Sequence, residues 1–369
     1  MLHYASGAPA YDVFQVVENQ LARQRLFSVH HDYIKPLRRW VEDVRAGIHT
    51  FQDQLKRTPS LTGKLARSDK RMRTALAERG RDPSSWVPYE EALLALSDRL
   101  GPGYPRLIML DSGAFTDWGK GRSSAVSDVV RSYQDFFNLA ADLFDEVFLI
   151  NLDAIPGAKG RDPTPDQLKR AVEVSDENFE ILKAAFPNNY VLPVFHQGEH
   201  HARLDEVVAM ADGYICLSPN NDEPQKAREE WALFYNTYAH GTQCHGLATT
   251  GNRMMRISGL YSGDSTSWKT HGGNGAIDVR FDTAWDGTPE AALTLPVYRN
   301  VHVAIERNSH DGKRVLPSSS KHITELSSFE KSHITKRAEQ YLPFPMVQLD
   351  RRAMSIVSLG EIQSVAEAK

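Results

Sequence analysis

The sequence is poor in cysteine, in long apolar runs and in surplus charge of either sign. Its 369 residues include two cysteines, Cys216 and Cys244. Two thiols cannot build a disulfide framework, nor a four-thiolate zinc site. No apolar run reaches the ~18 residues that a membrane-spanning helix needs. The first residues, MLHYASGAPAYD, show no basic-then-apolar export pattern, so a reduced cytoplasmic setting is expected. Net charge is −4, from 43 basic and 47 acidic residues. As a total, that balance counts against a nucleic-acid binder. What is present is ordinary: 41% hydrophobic and 24% charged residues, which excludes collagen-like, coiled-coil and disordered chains. The length admits two domains, or one α/β barrel of about 250 residues with additions.

Short apolar runs alternate with helical patterns. Strands are expected at Leu2–Ala5, Arg25–His30, Leu107–Leu110, Val147–Leu152, Val191–Phe195, Tyr214–Leu217, Cys244–Ala248 and Gly259–Tyr261. Between them, Tyr11, Phe14, Val17 and Leu21 recur at helical spacing, as do Val126, Val129, Tyr133, Phe136, Ala140 and Phe144. Thr164 followed by Pro165 has the form of an N-cap and first helical residue. Fully apolar strands in repeated βα units imply a parallel sheet. Eight such units point to a (β/α)8 TIM barrel in the α/β class. An open doubly wound sheet is the other solution.

Two segments interrupt the alternation. Residues 50–100 lie between the second and third strands. Within them, 55–81 holds nine basic residues (Lys56, Arg57, Lys64, Arg67, Lys70, Arg71, Arg73, Arg79 and Arg81) against Asp69 and Glu78 alone, a net +7. The remainder therefore carries about −11. Such a run is ordinarily a solvated helical surface, but beside a nucleotide site it suits phosphate contacts. The second segment follows residue 300, with a strand-like Asn300–Ile305, a polar Ser318–Ser320 turn and helical patterns. The expected organisation is a barrel over 1–300, interrupted by a basic insert at 50–100, and an extension over 301–369.

In an α/β barrel the chemistry gathers at the C-terminal strand ends. Those positions here read Asp111-Ser112-Gly113-Ala114-Phe115, Asn151-Leu152-Asp153, Phe195-His196-Gln197-Gly198-Glu199, His245-Gly246 and Gly263-Asp264-Ser265-Thr266-Ser267-Trp268. One aspartate could be a helix cap. Three on one rim suit a site with an ionised nucleophile and a proton-transfer partner. Glycines at 113, 198, 246 and 263 would let a flat ligand approach the backbone. His196 and His245 could be hydrogen-bonded core residues, or could bind a metal with Glu199 or Cys216. Cys244 and His245 are neighbours in a strand and face opposite ways. His200-His201 reads as an exposed helix start, and Trp268 could simply fill core.

DSGAF at 111–115 resembles the DSGGF/DSGGY motif of tRNA-guanine transglycosylases. The later elements recur in the family's order: a strand ending in Leu152-Asp153, one ending in Phe195-His196-Gln197-Gly198, one ending in His245-Gly246, then Asp264. Gly273-Asn274-Gly275-Ala276 is similar to the family's RNGQ-type segment. The resemblance spans about residues 107–280 and rests on the ordered set. FHQGE, HG and DSTSW look closer to the DpdA-type enzymes of viruses and mobile islands, which insert 7-deazaguanines into DNA.

The resemblance implies these roles. Asp264 is the nucleophile at the anomeric carbon and Asp111 the acid/base residue. Asp153 reads the N–H and amino edge of guanine, and Gln197 the opposite edge. Phe115 and His245 stack on the base, with Gly113, Gly246 and His196 also lining its site. Lys56, Arg57, Lys64, Arg67, Lys70, Arg71, Arg73 and Lys269 are candidates for the nucleic-acid backbone. No cofactor and no metal are implied. The partners are DNA, the departing guanine and an incoming base such as 7-cyano-7-deazaguanine, with no membrane.

Two features depart from the tRNA enzymes. Their CxCxxC…His zinc motif has no counterpart after Cys244, and the sixth strand ends in Leu217-Ser218-Pro219-Asn220 instead of a Gly-Gly-Leu loop. The same exchange on tRNA is the alternative, and a non-catalytic guanine- or nucleic-acid-binding barrel is another. A barrel glycosidase would leave Asp153 and Gln197 unexplained.

Overall fold

The computed structural model describes residues 1–7, 13–28, 34–157, 161, 163–220, 222–239, 241–251, 254–255, 259–281, 297–303, 321–343 and 351–367. The chain divides into two compact units. One comprises Met1–Pro9, Arg23–Val41 and Pro105–Ser265; the other comprises Ala10–Ala22, Glu42–Tyr104 and Thr266–Lys369.

The first unit is built on parallel strands β1 (Leu2–Ser6), β2 (Gln24–Ser28), β3 (Leu107–Asp111), β4 (Glu146–Ile150), β5 (Tyr190–Leu192), β6 (Val194–His196), β7 (Tyr214–Ser218), β8 (Gln243–Gly246) and β9 (Ser262–Ser265). Their order is β5-β4-β3-β2-β1-β9-β8-β7-β6. Only Pro193, which has no N–H to give a ladder, separates β5 from β6. The two ends of the array are thus halves of one strand, and eight strand positions make a (β/α)8 barrel. Around Pro193 the ladder continues: Asn151 N–H donates to Leu192 O and Cys216 N–H to Pro193 O, both at 2.9 Å.

Side chains alternate between two apolar layers. Tyr4, Leu26, Met109, Phe148, Ile150, Leu192, Val194, Tyr214 and Cys216 form one buried cluster. Phe195, Ile215, Leu217 and Cys244 join a second with helical residues such as Leu204, Val207 and Ala232. That two-sided burial is why the strands read as unbroken apolar runs. Thr164 caps the helix Pro165–Ala185 in a reciprocal box with Gln167, as its sequence predicts.

Two expectations change. The eighth strand is Ser262–Ser265, not 259–261, so Asp264 lies on the strand itself. The second strand is Gln24–Ser28; residues 29 and 30 lie outside the described residues.

After α1 (Gln15–Leu21) and α2 (Ile34–Arg45), the insert forms helices α3 (Phe51–Arg57), α4 (Ser60–Glu78) and α5 (Tyr89–Leu100) of the second unit. α4 buries Leu61, Leu65, Asp69 and Leu76, a single stripe. Its one buried acid is an anchor: Asp69 Oδ1 accepts Trp86 Nε1–H at 2.9 Å and the Tyr89 N–H at 3.0 Å. Residues 266–300, read from sequence as barrel, belong to this second unit. There Ala276–Phe281 pairs antiparallel with Val297–His302. The helix Arg351–Glu367 is buried along nearly its whole length, and a Cβ on Gly272 would come within 2.8 Å of its Ser355 Cα. Gly273-Asn274-Gly275 ends a helix, with Gly275 at φ +78°. The turn read at Ser318–Ser320 lies outside the described residues.

Candidate active site

Period-two alternation carries the inward direction of Tyr4, Met109, Tyr214 and Cys216 up to Ser6, Asp111 and Ser218 at the strand ends. The register sets Tyr4 beside Asp264 and Ser28 beside Asp111. All three aspartates influence the Cys216 thiol, whose pKa burial and then their charges push up. Asp111, Asp153 and Asp264 therefore converge on one end of the barrel interior.

Asp264 is the most firmly held. Its Oδ2 accepts from Ser6 Oγ. Its Oδ1 accepts the Ala248 N–H at 2.8 Å and lies 3.3 Å from His245 Nε2. Burial pulls this carboxyl up, but His245, Ser6 and Ala248 together hold it below the ordinary value. The Ala248 N–H arrives by close packing. A Cβ on Gly263 would lie 2.7 Å from Thr249 O, and one on Gly246 would lie 2.9 Å from Thr249 Cβ. Ala248 itself sits at φ +51°, a conformation unfavourable by about 1–2 kcal/mol for a residue with a Cβ. Gly246 and Gly263, expected to admit a ligand, instead admit the protein's own chain.

Asp111 differs. Burial is the main influence on it; the nearby charges of Asp264 and Asp153 add to this, while Gly113 N–H and Ser28 oppose it. The carboxyl is pushed up to about 6. Asp153 pairs with His196, Oδ2 to Nε2 at 2.7 Å, both side chains about nine-tenths buried. Burial lowers the His196 pKa, but Asp153 more than restores it, so the ring is held above its ordinary value. Glu199 Oε2 accepts the His196 N–H at 3.0 Å, and burial raises its carboxyl.

Gln197 is oriented by its neighbour: its Oε1 accepts the Asn220 N–H at 2.9 Å, so its amide NH2 is the end left to offer. Phe115 is 52% exposed on the short helix after β3. It supplies an open aromatic face, with Trp118 at 5.7 Å between centroids. His245 does not. It is completely buried beneath Asp264, with Tyr4 edge-on at 5.7 Å, and no ring face is available to a base. Trp268 fills core. Ser6, Ser28, Tyr214 and Ser262 were not singled out in sequence. Serines and tyrosines in strands carry no distinguishing mark; only the strand register, which puts Tyr4 beside Asp264, points to Ser6.

Among the described residues, no three His, Cys, Asp or Glu side chains gather as a metal site, and no helix is long and apolar enough to cross a membrane. Lys56, Arg57, Lys64, Arg67, Lys70, Arg71 and Arg73 are all exposed on α3 and α4, with Arg57 Nε paired to Asp43 at 3.2 Å. Lys269 is half-buried on Ser267–Gly273. These cations belong to the second unit and the three aspartates to the first.

Fold and site together define an α/β barrel with an acidic, histidine-supported rim. Compared with models of known protein families and with curated proteins, the chain matches none.

Proposed function

We propose that the protein is a base-exchange transglycosylase that swaps guanine in DNA for a 7-deazaguanine. One observation carries this reading: two carboxylates on the same rim are driven in opposite directions, Asp264 down and Asp111 up to about 6. That separation suits an ionised nucleophile and a proton carrier that can both hold and release its proton near neutrality.

An Asp264 oxygen attacks the anomeric carbon of the target nucleotide. The bond to guanine N9 breaks, its electron pair leaves with the base, and the Asp111 proton neutralises that base. A glycosyl ester on Asp264 remains. Asp111, now a carboxylate, removes the N9 proton of the incoming base. That nitrogen attacks the anomeric carbon and Asp264 departs as carboxylate, so the protons balance over the cycle. Asp153, an acceptor held by His196, and the Gln197 amide NH2, held at Oε1 by Asn220, suit a base with donors on one edge and an acceptor on the other. Phe115 offers a surface for stacking. In a duplex the target must first leave the stack. The exposed cations of α4 suit the phosphate backbone.

The test incubates the protein with labelled guanine or 7-cyano-7-deazaguanine and either DNA or tRNA. Label should enter DNA, with a covalent adduct on denaturation. Asp264→Asn should give neither. Incorporation into tRNA alone would move the substrate, and binding without exchange of any base would remove the catalytic reading.

A further inference from the structure

Asp264 ends a chain of buried side chains that crosses three adjacent strands. His245 Nε2 on β8 faces its Oδ1 at 3.3 Å. His245 Nδ1 is 2.6 Å from Ser262 Oγ on β9, and Ser262 Oγ contacts the Tyr214 hydroxyl on β7. His245 and Ser262 are fully buried and Tyr214 is nearly so. Backbone ladders already join these strands. Apolar side chains would fill the space without the desolvation cost of three polar ones.

The protons in this chain have few arrangements. A nitrogen facing a carboxylate must carry hydrogen, so Nε2 is the protonated position. Burial pushes the Tyr214 pKa well above its ordinary value, so the hydroxyl remains a donor. Tyr214 donating to Ser262, and Ser262 to Nδ1, then leaves Nδ1 an acceptor and Nε2 the position that carries hydrogen. At Asp264 the two oxygens are unequal. Among the described residues, Oδ1 accepts the Ala248 N–H and has His245 Nε2 as an ion-pair contact at 3.3 Å, whereas Oδ2 has Ser6 alone. A carboxylate oxygen has about two lone-pair sites, so only Oδ2 keeps one open.

We propose that Tyr214, Ser262 and His245 are positioning residues that saturate Oδ1 of Asp264, leave Oδ2 as the attacking oxygen, and make the carboxylate a good leaving group in the second displacement. This deepens the transglycosylase reading and rests on it for the chemistry. In the intermediate, Oδ2 is the ester oxygen and Oδ1 the carbonyl. When the incoming base displaces Oδ2, charge returns to the carboxylate and the donors at Oδ1 receive it. Weakening the relay therefore slows release from the enzyme more than attack on it. Among the described residues, the other titratable groups whose charges act on Asp264, His245 or Tyr214 are His3 and Tyr4 on β1, Asp111 on β3, Cys216 on β7 and Tyr261 just ahead of β9, while Arg25 on β2 acts on His3. Burial lowers the His3 pKa to about 4, so near neutrality it brings no competing charge.

The experiment compares the wild-type protein with Ser262→Ala, His245→Gln and His245→Leu. In the free protein, nitrogen-15 NMR should show His245 protonated at Nε2. Carbon-13 titration of the Asp264 carboxyl should show a higher midpoint in Ser262→Ala and His245→Leu. Gln, whose amide can donate to Asp264 and accept from Ser262, should restore much of that shift. With DNA and labelled base, Ser262→Ala should turn over about tenfold more slowly while the fraction trapped as adduct rises. A purely structural role would lower both together. An unchanged Asp264 midpoint in Ser262→Ala, an Nδ1–H ring in the wild type, or a falling adduct fraction would each overturn the proposal. Ser262→Ala removes one oxygen, so the test survives if His245→Leu fails to fold. Absence of exchange by the wild type would refute the transglycosylase reading, while the NMR arm would still judge the relay.

Discussion

Asp153 Oδ2 and His196 Nε2 lie 2.7 Å apart, joining the end of β4 to the end of β6 inside the barrel rim. Burial opposes charge on His196, yet its pKa is held above the ordinary 6.5. A ring whose folded pKa exceeds its unfolded one contributes stability that is complete below the unfolded value. That stability is lost as pH rises through the folded value. His196→Leu strands the Asp153 carboxylate and should cost about 3–5 kcal/mol at pH 6. The deficit should shrink as pH rises through the folded value, where the wild type loses its own pairing. Urea midpoints measured from pH 6 upward check this, and a constant deficit would show that the pair is not ionic.

Asp111 has the opposite character. Its folded pKa of about 6 lies above the ordinary 3.8, so ionising it disfavours the folded state. Asp111→Asn removes that penalty. The variant should be more stable than the wild type by roughly 1–3 kcal/mol at pH 8, with the gain vanishing below about pH 4. Exchange should fall by about 10²–10⁴-fold, the usual loss of a proton carrier. Thermal melts across pH, run beside the exchange assay, would show the trade. A variant less stable at pH 8 would mean that Asp111 is a structural acceptor for Ser28 and Gly113.

The barrel was legible because its strands are apolar on both faces and its helices periodic. Asp111 was legible because charge is out of place at the end of an apolar run, and Asp264 because it follows the other motifs in order. The eighth strand was not, because Ser262-Gly263-Asp264-Ser265 is polar and glycine-rich. It carries the site and takes a chain packed against it, and both remove the apolar signal. His245 was found but given the wrong environment, since spacing cannot distinguish a rim position from one a level deeper. The relay from Tyr214 depends on register between strands distant in sequence. The second unit assembles three separated segments, the last of which carries an antiparallel pair, and no local period announces that assembly.

On α4, Arg67, Lys70 and Arg71 are exposed while Asp69 between them points inward. The triple variant Arg67→Ala, Lys70→Ala, Arg71→Ala should fold normally. It should weaken DNA binding across all sequences and flatten the salt dependence by about 0.9 per lost phosphate contact. Turnover of saturating DNA should not change. Asp69→Ala should instead destabilise the protein, since it orphans the Trp86 and Tyr89 donors at about 1–3 kcal/mol each. A salt slope unchanged in the triple variant would assign this face to solvent alone.

Gly263 tests how the nucleophile is supported from the loop side. A Cβ there meets Met1 Cε, a flexible end, and Thr249 O at 2.7 Å, which is backbone. Gly263→Ala should push the chain at 247–250 away and withdraw the Ala248 N–H from Asp264 Oδ1. Losing one hydrogen bond to a charged group is worth about 1.5–3 kcal/mol. Exchange should therefore fall by roughly 10–100-fold, and the Asp264 titration midpoint should rise. Gly103→Ala, with open space around its Cβ, should change neither. Ala248→Gly relieves the positive φ while keeping the N–H. It should preserve activity and add up to about 1 kcal/mol of stability, less whatever chain entropy the glycine returns to the unfolded state. Full activity in Gly263→Ala, with an unmoved midpoint, would show that Ser6 and His245 hold Asp264 without the loop.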